Sequence, residues 1–185
     1  AGAVVIGDLT NSVGTTTFIG GVGATTISAG AGGANTNVTT GIGNDLITTG
    51  AGDDIIITGN GTSTIVSAGG ADSITTGNGI DDITAGGGND TIITGAGADT
   101  VTIAGGDGID TITFSAGGDI DTIVTAGITS TDYFNVTGFA VAEDLIDFNG
   151  ALISDDGIGT VIQGLEGAAM ADIASIATGV TGAHM

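Results

Sequence analysis

The sequence predicts an all-β fold, a parallel solenoid built from stacked coils. Three observations predict it. First, Gly41 to Ile103 is seven consecutive nine-residue units: GIGNDLITT, GAGDDIIIT, GNGTSTIVS, AGGADSITT, GNGIDDITA, GGGNDTIIT and GAGADTVTI. Two more, GDGIDTITF and GGDIDTIVT, follow, each after a two-residue insertion. A fixed period of this length decides the fold before local propensity does. Second, glycine at alternate positions opens backbone angles closed to other residues, so each unit contains a tight turn. Third, the residues after the Asp are β-formers with an apolar centre, as in Thr100-Val101-Thr102. That pattern predicts a short strand with one residue facing in and two facing out. One turn and one strand cannot bury an apolar residue alone, whereas a stack of them can.

The central block, residues 41–125, carries the expected inward ladder: Ile47, Ile56, Ile65, Ile74, Ile83, Ile92, Val101, Ile112 and Ile123. Its units resemble the calcium-binding glycine-rich nonapeptides of the repeats-in-toxin (RTX) family, G-G-x-G-x-D-x-U-x with U a large apolar residue. The resemblance implies a β-roll (a β-helix-like solenoid) with two nonapeptides per coil and turns on two opposite edges. Residues on one edge then repeat every eighteen positions. One edge carries Asp45, Ser63, Asp81, Asp99 and, after the insertions, Asp121. The other carries Asp54, Asp72, Asp90 and Asp110. Carboxylates stacked at the strand spacing of about 4.8 Å repel unless a hard cation sits between turns. Calcium takes six to eight oxygen ligands, and glycine turns expose carbonyls beside the carboxylates. The expected metal set is therefore Ca2+, several ions, on these eight Asp residues. Backbone carbonyls near Gly50, Gly52, Gly77, Gly79, Gly86, Gly88, Gly95 and Gly97 complete it.

Residues 1–40 read as calcium-poor, degenerate coils of the same solenoid. Val38, Ile27, Phe18 and Leu9 extend the apolar ladder backwards, and Thr36, Thr25, Thr16 and Gly7 fill the Asp position. Residues 126–185 read as a C-terminal segment of two parts. The first is a β-rich cap containing Tyr133, Phe134, Phe139 and Phe148, in which Asp144 and Asp147 read as solvated strand-end acids, with a further calcium site as the alternative. The second has Met170, Ile173, Ala174 and Ala177 at helical spacing, which predicts a short terminal helix. RTX proteins carry an uncleaved secretion signal at this end, and the small, apolar character here is compatible with one. His184, the one His, reads as a solvated terminal residue.

Composition excludes several functions. The 185 residues include 38 Gly, 21 acidic residues and no Lys, Arg, Pro, Cys or Trp, for a net charge of −21. Salt bridges between side chains of opposite charge cannot hold such a fold. Nucleic acid is not an expected partner, because binding phosphates requires protein cations. No apolar run reaches the length of a transmembrane helix, so membrane insertion is not expected. No basic, apolar N-terminal signal is present, which fits a mature fragment or a protein exported without a cleaved leader. No nucleophile–base pair, GxSxG or HExxH occurs, so no enzymatic activity is expected. Paired acids such as Asp53-Asp54 and Asp81-Asp82 recur with the period, and structure explains them better than glycosidase chemistry.

The expected function is a structural, extracellular calcium-binding protein that folds on Ca2+ and self-assembles into a surface layer or fibre. The composition resembles bacterial surface-layer proteins exported by the type I route. Residues 1–40 have almost no charge to guard an open β-edge, which invites another copy of the chain. A cell-surface polysaccharide is a further expected partner. The alternative is an RTX folding and secretion module of a larger secreted enzyme, toxin or adhesin. An ice-binding solenoid is a third class, suggested by outward Thr pairs such as Thr100/Thr102, which threonine's β-propensity already explains.

Overall fold

The computed structural model describes residues 4–6, 14–30, 32–106, 108–115, 118–127, 133–140 and 143–147. Within them the chain is all-β and parallel. The first strands are β1 (Val4–Ile6), β2 (Thr16–Ile19), β3 (Thr25–Ser28), β4 (Thr36–Thr39) and β5 (Leu46–Thr48). Then come β6 (Ile55–Ile57), β7 (Thr64–Val66), β8 (Ser73–Thr75), β9 (Asp82–Gly86) and β10 (Thr91–Ile93). The last are β11 (Thr100–Ala104), β12 (Ile109–Thr113), β13 (Thr122–Ala126), β14 (Tyr133–Thr137) and β15 (Leu145–Asp147). Odd strands form an eight-stranded sheet and even strands a seven-stranded one, each in sequence order. Consecutive strands therefore lie in opposite sheets, and two repeats make one coil, as in a β-roll.

The register builds two apolar columns. Ile27, Ile47, Ile65, Ile83, Val101, Ile123 and Ile146 stack in one sheet. Phe18, Val38, Ile56, Ile74, Ile92, Ile112 and Val136 stack in the other. All nine residues of the expected ladder are 0% exposed. Ile27, Val38 and Phe18 continue it, also buried. Leu9 lies outside the described residues, and the residue that pairs with Ile27 is Ile6.

Each repeat turns more than one side chain inward. The residues two before and two after the central Ile are buried as well, as in Asp54-x-Ile56-x-Thr58 and Asp72-x-Ile74-x-Thr76. Strict alternation over five residues places a carboxylate and a hydroxyl on either side of one apolar residue. β5 to β8 and β10 are the expected three-residue strands with one buried centre, and the further inward residues lie just outside them.

The described part of the C-terminal cap is made of β14 and β15, which add in parallel to the ends of the two sheets. Phe134 and Val136 are buried there, and Phe139 packs on the core with its ring 6.4 Å from that of Phe114. The expected terminal helix, Phe148 and His184 lie outside the described residues.

Coils approach most closely at the glycines. Gly97 has φ +135°, and a Cβ there would collide with the carbonyl oxygen of Gly79 in the coil before. Ala68 takes φ 67° without being glycine, which costs an L-residue about 1–2 kcal/mol. Ala68→Gly is expected to raise the melting temperature of the calcium-loaded protein, and Gly97→Ala to lower it. Ile74→Ala is expected to cost about 2–5 kcal/mol in a denaturant titration.

Candidate metal centre

The turns between sheets bring the acidic residues into two columns. On one edge the buried Thr25, Asp45, Ser63, Asp81, Asp99 and Asp121 stack. On the other the column is Thr36, Asp54, Asp72, Asp90 and Asp110, also buried. Threonine at the head of each column supplies a buried polar residue without charge.

A directed hydrogen-bond ladder runs through each column. One carboxylate oxygen of each Asp, its Oδ1, accepts the backbone N–H of the residue stacked one coil earlier. On the first edge Thr25 donates to Asp45 at 2.8 Å, Ser63 to Asp81 at 2.7 Å, Asp81 to Asp99 at 2.9 Å and Asp99 to Asp121 at 2.9 Å. On the second edge Thr36 donates to Asp54 at 2.6 Å, and Asp54 to Asp72, Asp72 to Asp90 and Asp90 to Asp110, each at 2.9 Å. The link from Asp45 onward is absent because Ser63 offers no carboxylate.

The second carboxylate oxygen is different. Oδ2 of Asp45, Asp54, Asp72, Asp81, Asp90 and Asp99 is buried without a hydrogen-bond partner. A buried ionised oxygen with no partner is strongly unfavourable, and repeating it at six positions specifies something that protein atoms do not supply. Burial accordingly raises the pKa of Asp54, Asp81 and Asp121, and lifts Asp72 and Asp99 to about 6 and Asp90 to about 7. Backbone N–H donors oppose the rise in each case, and neighbouring carboxylates add to it.

These residues fit calcium. The available donors are oxygens only, carboxylate, hydroxyl and carbonyl, which select a hard cation. Among the described residues no three acidic or His side chains converge on one point. Asp residues from neighbouring coils would hold the ion, with neutral oxygens making up the ligand number. The glycines expected to offer carbonyls lie at the closest approach of the coils. Gly95 and Gly97 sit against the carbonyls of Gly77 and Gly79, and Gly88 against that of Gly70. Gly86 meets the carbonyl of Ala68, and Gly50 and Gly52 meet those of Gly32 and Ala34.

Two features go beyond the eight Asp residues expected on the edges. Asp144 is not simply a solvated acid, because its Oδ1 accepts the Asp121 N–H at 2.9 Å and its Oδ2 the Ala140 N–H at 2.6 Å. Among the described residues it ends the first column, and the signal was its place two residues before Ile146, in the phase of every other ladder Asp. The other feature is an exposed ladder of the opposite direction. Asn35 and Asn44 accept N–H groups from Asp53 and Thr62 one coil later, as Asn60 does from Asn78 and Asn89 from Ile109. For Asn35, Asn44 and Asn89 the signal is an Asn just before the ladder position, whereas Asn60 stands three residues before Ser63. Asp147 lies at the end of β15 and is exposed.

Comparison with known proteins agrees with this geometry. The family model for the RTX calcium-binding nonapeptide repeat, four copies long, matches residues 31–65 and again 67–101. No curated protein and no solved structure matches the chain.

Raised Asp pKa values mean that the calcium-free fold holds protons more tightly than the unfolded chain. Their contribution to its stability is complete below about pH 4 and is lost as pH rises through 6 to 7. In chelator, circular dichroism is expected to show more β-structure at pH 5 than at pH 8. Calcium competes with those protons, so its affinity is expected to fall on acidification below pH 7, with proton release on binding at pH 6.5. Calorimetry in buffers of different ionisation enthalpy measures that release. Asp90→Ala is expected to weaken calcium binding more than Asp45→Ala, because Asp90 stacks between two carboxylates and Asp45 between Thr25 and Ser63.

Proposed function

We propose that this chain, an RTX nonapeptide-repeat protein, is a structural, non-catalytic protein that acts outside the cell. It folds on binding calcium and then assembles with copies of itself into a surface layer or fibre. The observation that carries the calcium-dependent part is the double column of buried Asp residues, in which Oδ2 of Asp45, Asp54, Asp72, Asp81, Asp90 and Asp99 has no partner, in a chain with no Lys or Arg. Without an ion the columns repel, and glycine-rich turns lose more entropy on ordering than other sequences. With an ion, the binding free energy becomes folding free energy. An extracellular setting, where calcium is millimolar, suits sites built mainly from neutral oxygens and few carboxylates.

Support for assembly comes from the outer face of the seven-stranded sheet. One outward row runs Ile19, Thr39, Ile57, Thr75, Ile93, Thr113 and Thr137. The next runs Thr17, Asn37, Ile55, Ser73, Thr91, Thr111 and Asn135. Neither contains a charge, although the chain carries −21. The outer face of the other sheet carries Asp82 and Asp147. A second copy is the partner such a face suits, because two uncharged faces can meet while both acidic edges stay in solvent. The first half of the Ile/Thr row alternates large and small, so a shift of one strand sets each Ile of one copy over a Thr of the other. Sheets packed face to face in this way lie about 10 Å apart.

In excess chelator at pH 8 the acidic block is expected to be disordered by circular dichroism, and to gain β-structure with millimolar calcium. An unchanged spectrum would overturn the calcium reading. In calcium, sedimentation is expected to show large assemblies for the native chain and monomers for Thr75→Glu/Ile93→Glu, with calcium-induced folding retained. Assembly of the double variant to the same size would remove this face from the interface.

A further inference from the structure

The turns that end at Asp45, Ser63, Asp81 and Asp99 all begin at a threonine: Thr40, Thr58, Thr76 and Thr94. The spacing is five residues in every case. Each of these threonines is at least nine-tenths buried, and the Oγ1 atom of all four has no hydrogen-bond partner. The same holds for Ser63 Oγ and for Oδ2 of Asp45, Asp81 and Asp99 on this edge. The Thr76 hydroxyl lies beside the Asp81 carboxylate and the Thr94 hydroxyl beside Asp99, in each case short of hydrogen-bond geometry. Each of these four turns thus encloses unpaired oxygen atoms at its two ends.

The opposite edge serves as an internal comparison. There the turns begin at Thr49, Ser67, Ala85 and Ile103. Thr49 Oγ1 donates to the Ser67 carbonyl at 3.5 Å and Ser67 Oγ to the Ala85 carbonyl at 2.6 Å, while Ala85 and Ile103 have no hydroxyl. The Thr49 and Ser67 hydroxyls also lie beside carboxylates, of Asp54 and Asp72, but each has a carbonyl partner along the column, and at Ala85 and Ile103 an apolar group replaces the hydroxyl. A position that tolerates Ala and Ile on one edge does not need Thr for packing on the other. Valine would fill the same volume and leave no buried polar atom unpaired, and an unpaired one is destabilising.

We propose that the hydroxyls of Thr40, Thr58, Thr76 and Thr94 are calcium ligands, neutral oxygens that complete the sites on the edge where Ser63 replaces a carboxylate. The assignment rests on the calcium-binding reading above and deepens it. Calcium is satisfied by the number of oxygens around it, and charge tunes the affinity. A gap flanked by Ser63 has one carboxylate, from Asp45 or from Asp81, so neutral oxygens carry more of its coordination. The Ser63 edge is then the lower-affinity edge of the roll, and it fills after the edge of Asp54, Asp72 and Asp90.

The test uses the full chain with Thr40, Thr58, Thr76 and Thr94 all changed to Val. The control carries Thr49→Val and Ser67→Ala on the opposite edge. Calcium is titrated by calorimetry and circular dichroism. Bound water is counted from europium(III) luminescence lifetimes in H2O and D2O. The four-Val chain is expected to be no less ordered than the native chain in chelator, because it has shed unpaired hydroxyls. It is expected to need about tenfold more calcium to fill the Ser63 edge, and its bound europium gains water. The control keeps the native calcium midpoint and hydration. If the four-Val chain does not fold, Thr76→Val read against Thr76→Ser, which keeps the oxygen, carries the same comparison. A native chain that binds calcium while the Val chain matches its midpoint and hydration overturns the hydroxyl assignment alone. A native chain that binds no calcium overturns the calcium reading and this assignment with it.

Discussion

Each added coil places a carboxylate almost directly over the last, at the strand spacing of about 4.8 Å. The parallel register that pairs the backbones also makes this stacking unavoidable. Backbone N–H donors relieve one oxygen of each ladder Asp and leave the other exposed to its neighbours' charge. With no Lys or Arg in the chain, no side chain can supply the missing positive charge. Compensation has to come from a proton or a metal ion, and these two compete for the same atoms. The groups that hold the coils apart in one condition therefore hold them together in another.

The apolar core cannot overcome this alone. Its main part is two columns one residue wide, filled by Ile and Val until the aromatic residues near the ends, with Ala29, Ala85, Ile103 and Phe114 beside them. Burial per coil is constant, so lengthening the roll adds stability only in proportion to its repeats. Every coil also orders a set of glycines, whose conformational freedom in the unfolded chain is the greatest of any residue. A narrow core and costly turns are the physical grounds on which we propose ion binding as the decisive contribution.

Most of this was legible in the sequence because period and face are rigidly linked in a strand. Ile47 to Ile123 were readable as inward, and eighteen-residue spacing sorted the Asp residues onto two edges. The inward hydroxyls were not read, since Thr at a strand end looks like ordinary β-propensity. Only burial with no partner separates Thr58 from Thr39. Ile6 replaced Leu9 as the partner of Ile27 because units before residue 41 vary in length, and a period counted backwards drifts. Asp144 fell outside the eight-Asp set because its unit lacks the glycine signature, although its strand obeys the register.

The direction of the buried ladder has a temporal consequence. The N–H of each turn finds its acceptor on the Asp one coil later, eighteen to twenty-three residues further along the chain. A chain that emerged from a narrow exit N-terminus first would have to wait one coil before each turn could close. A chain that emerged C-terminus first would find each acceptor already outside when its donor arrived, so every turn could close as it appeared. In that order Asp144, with both oxygens engaged, would be the first acceptor of the first edge to be set in place.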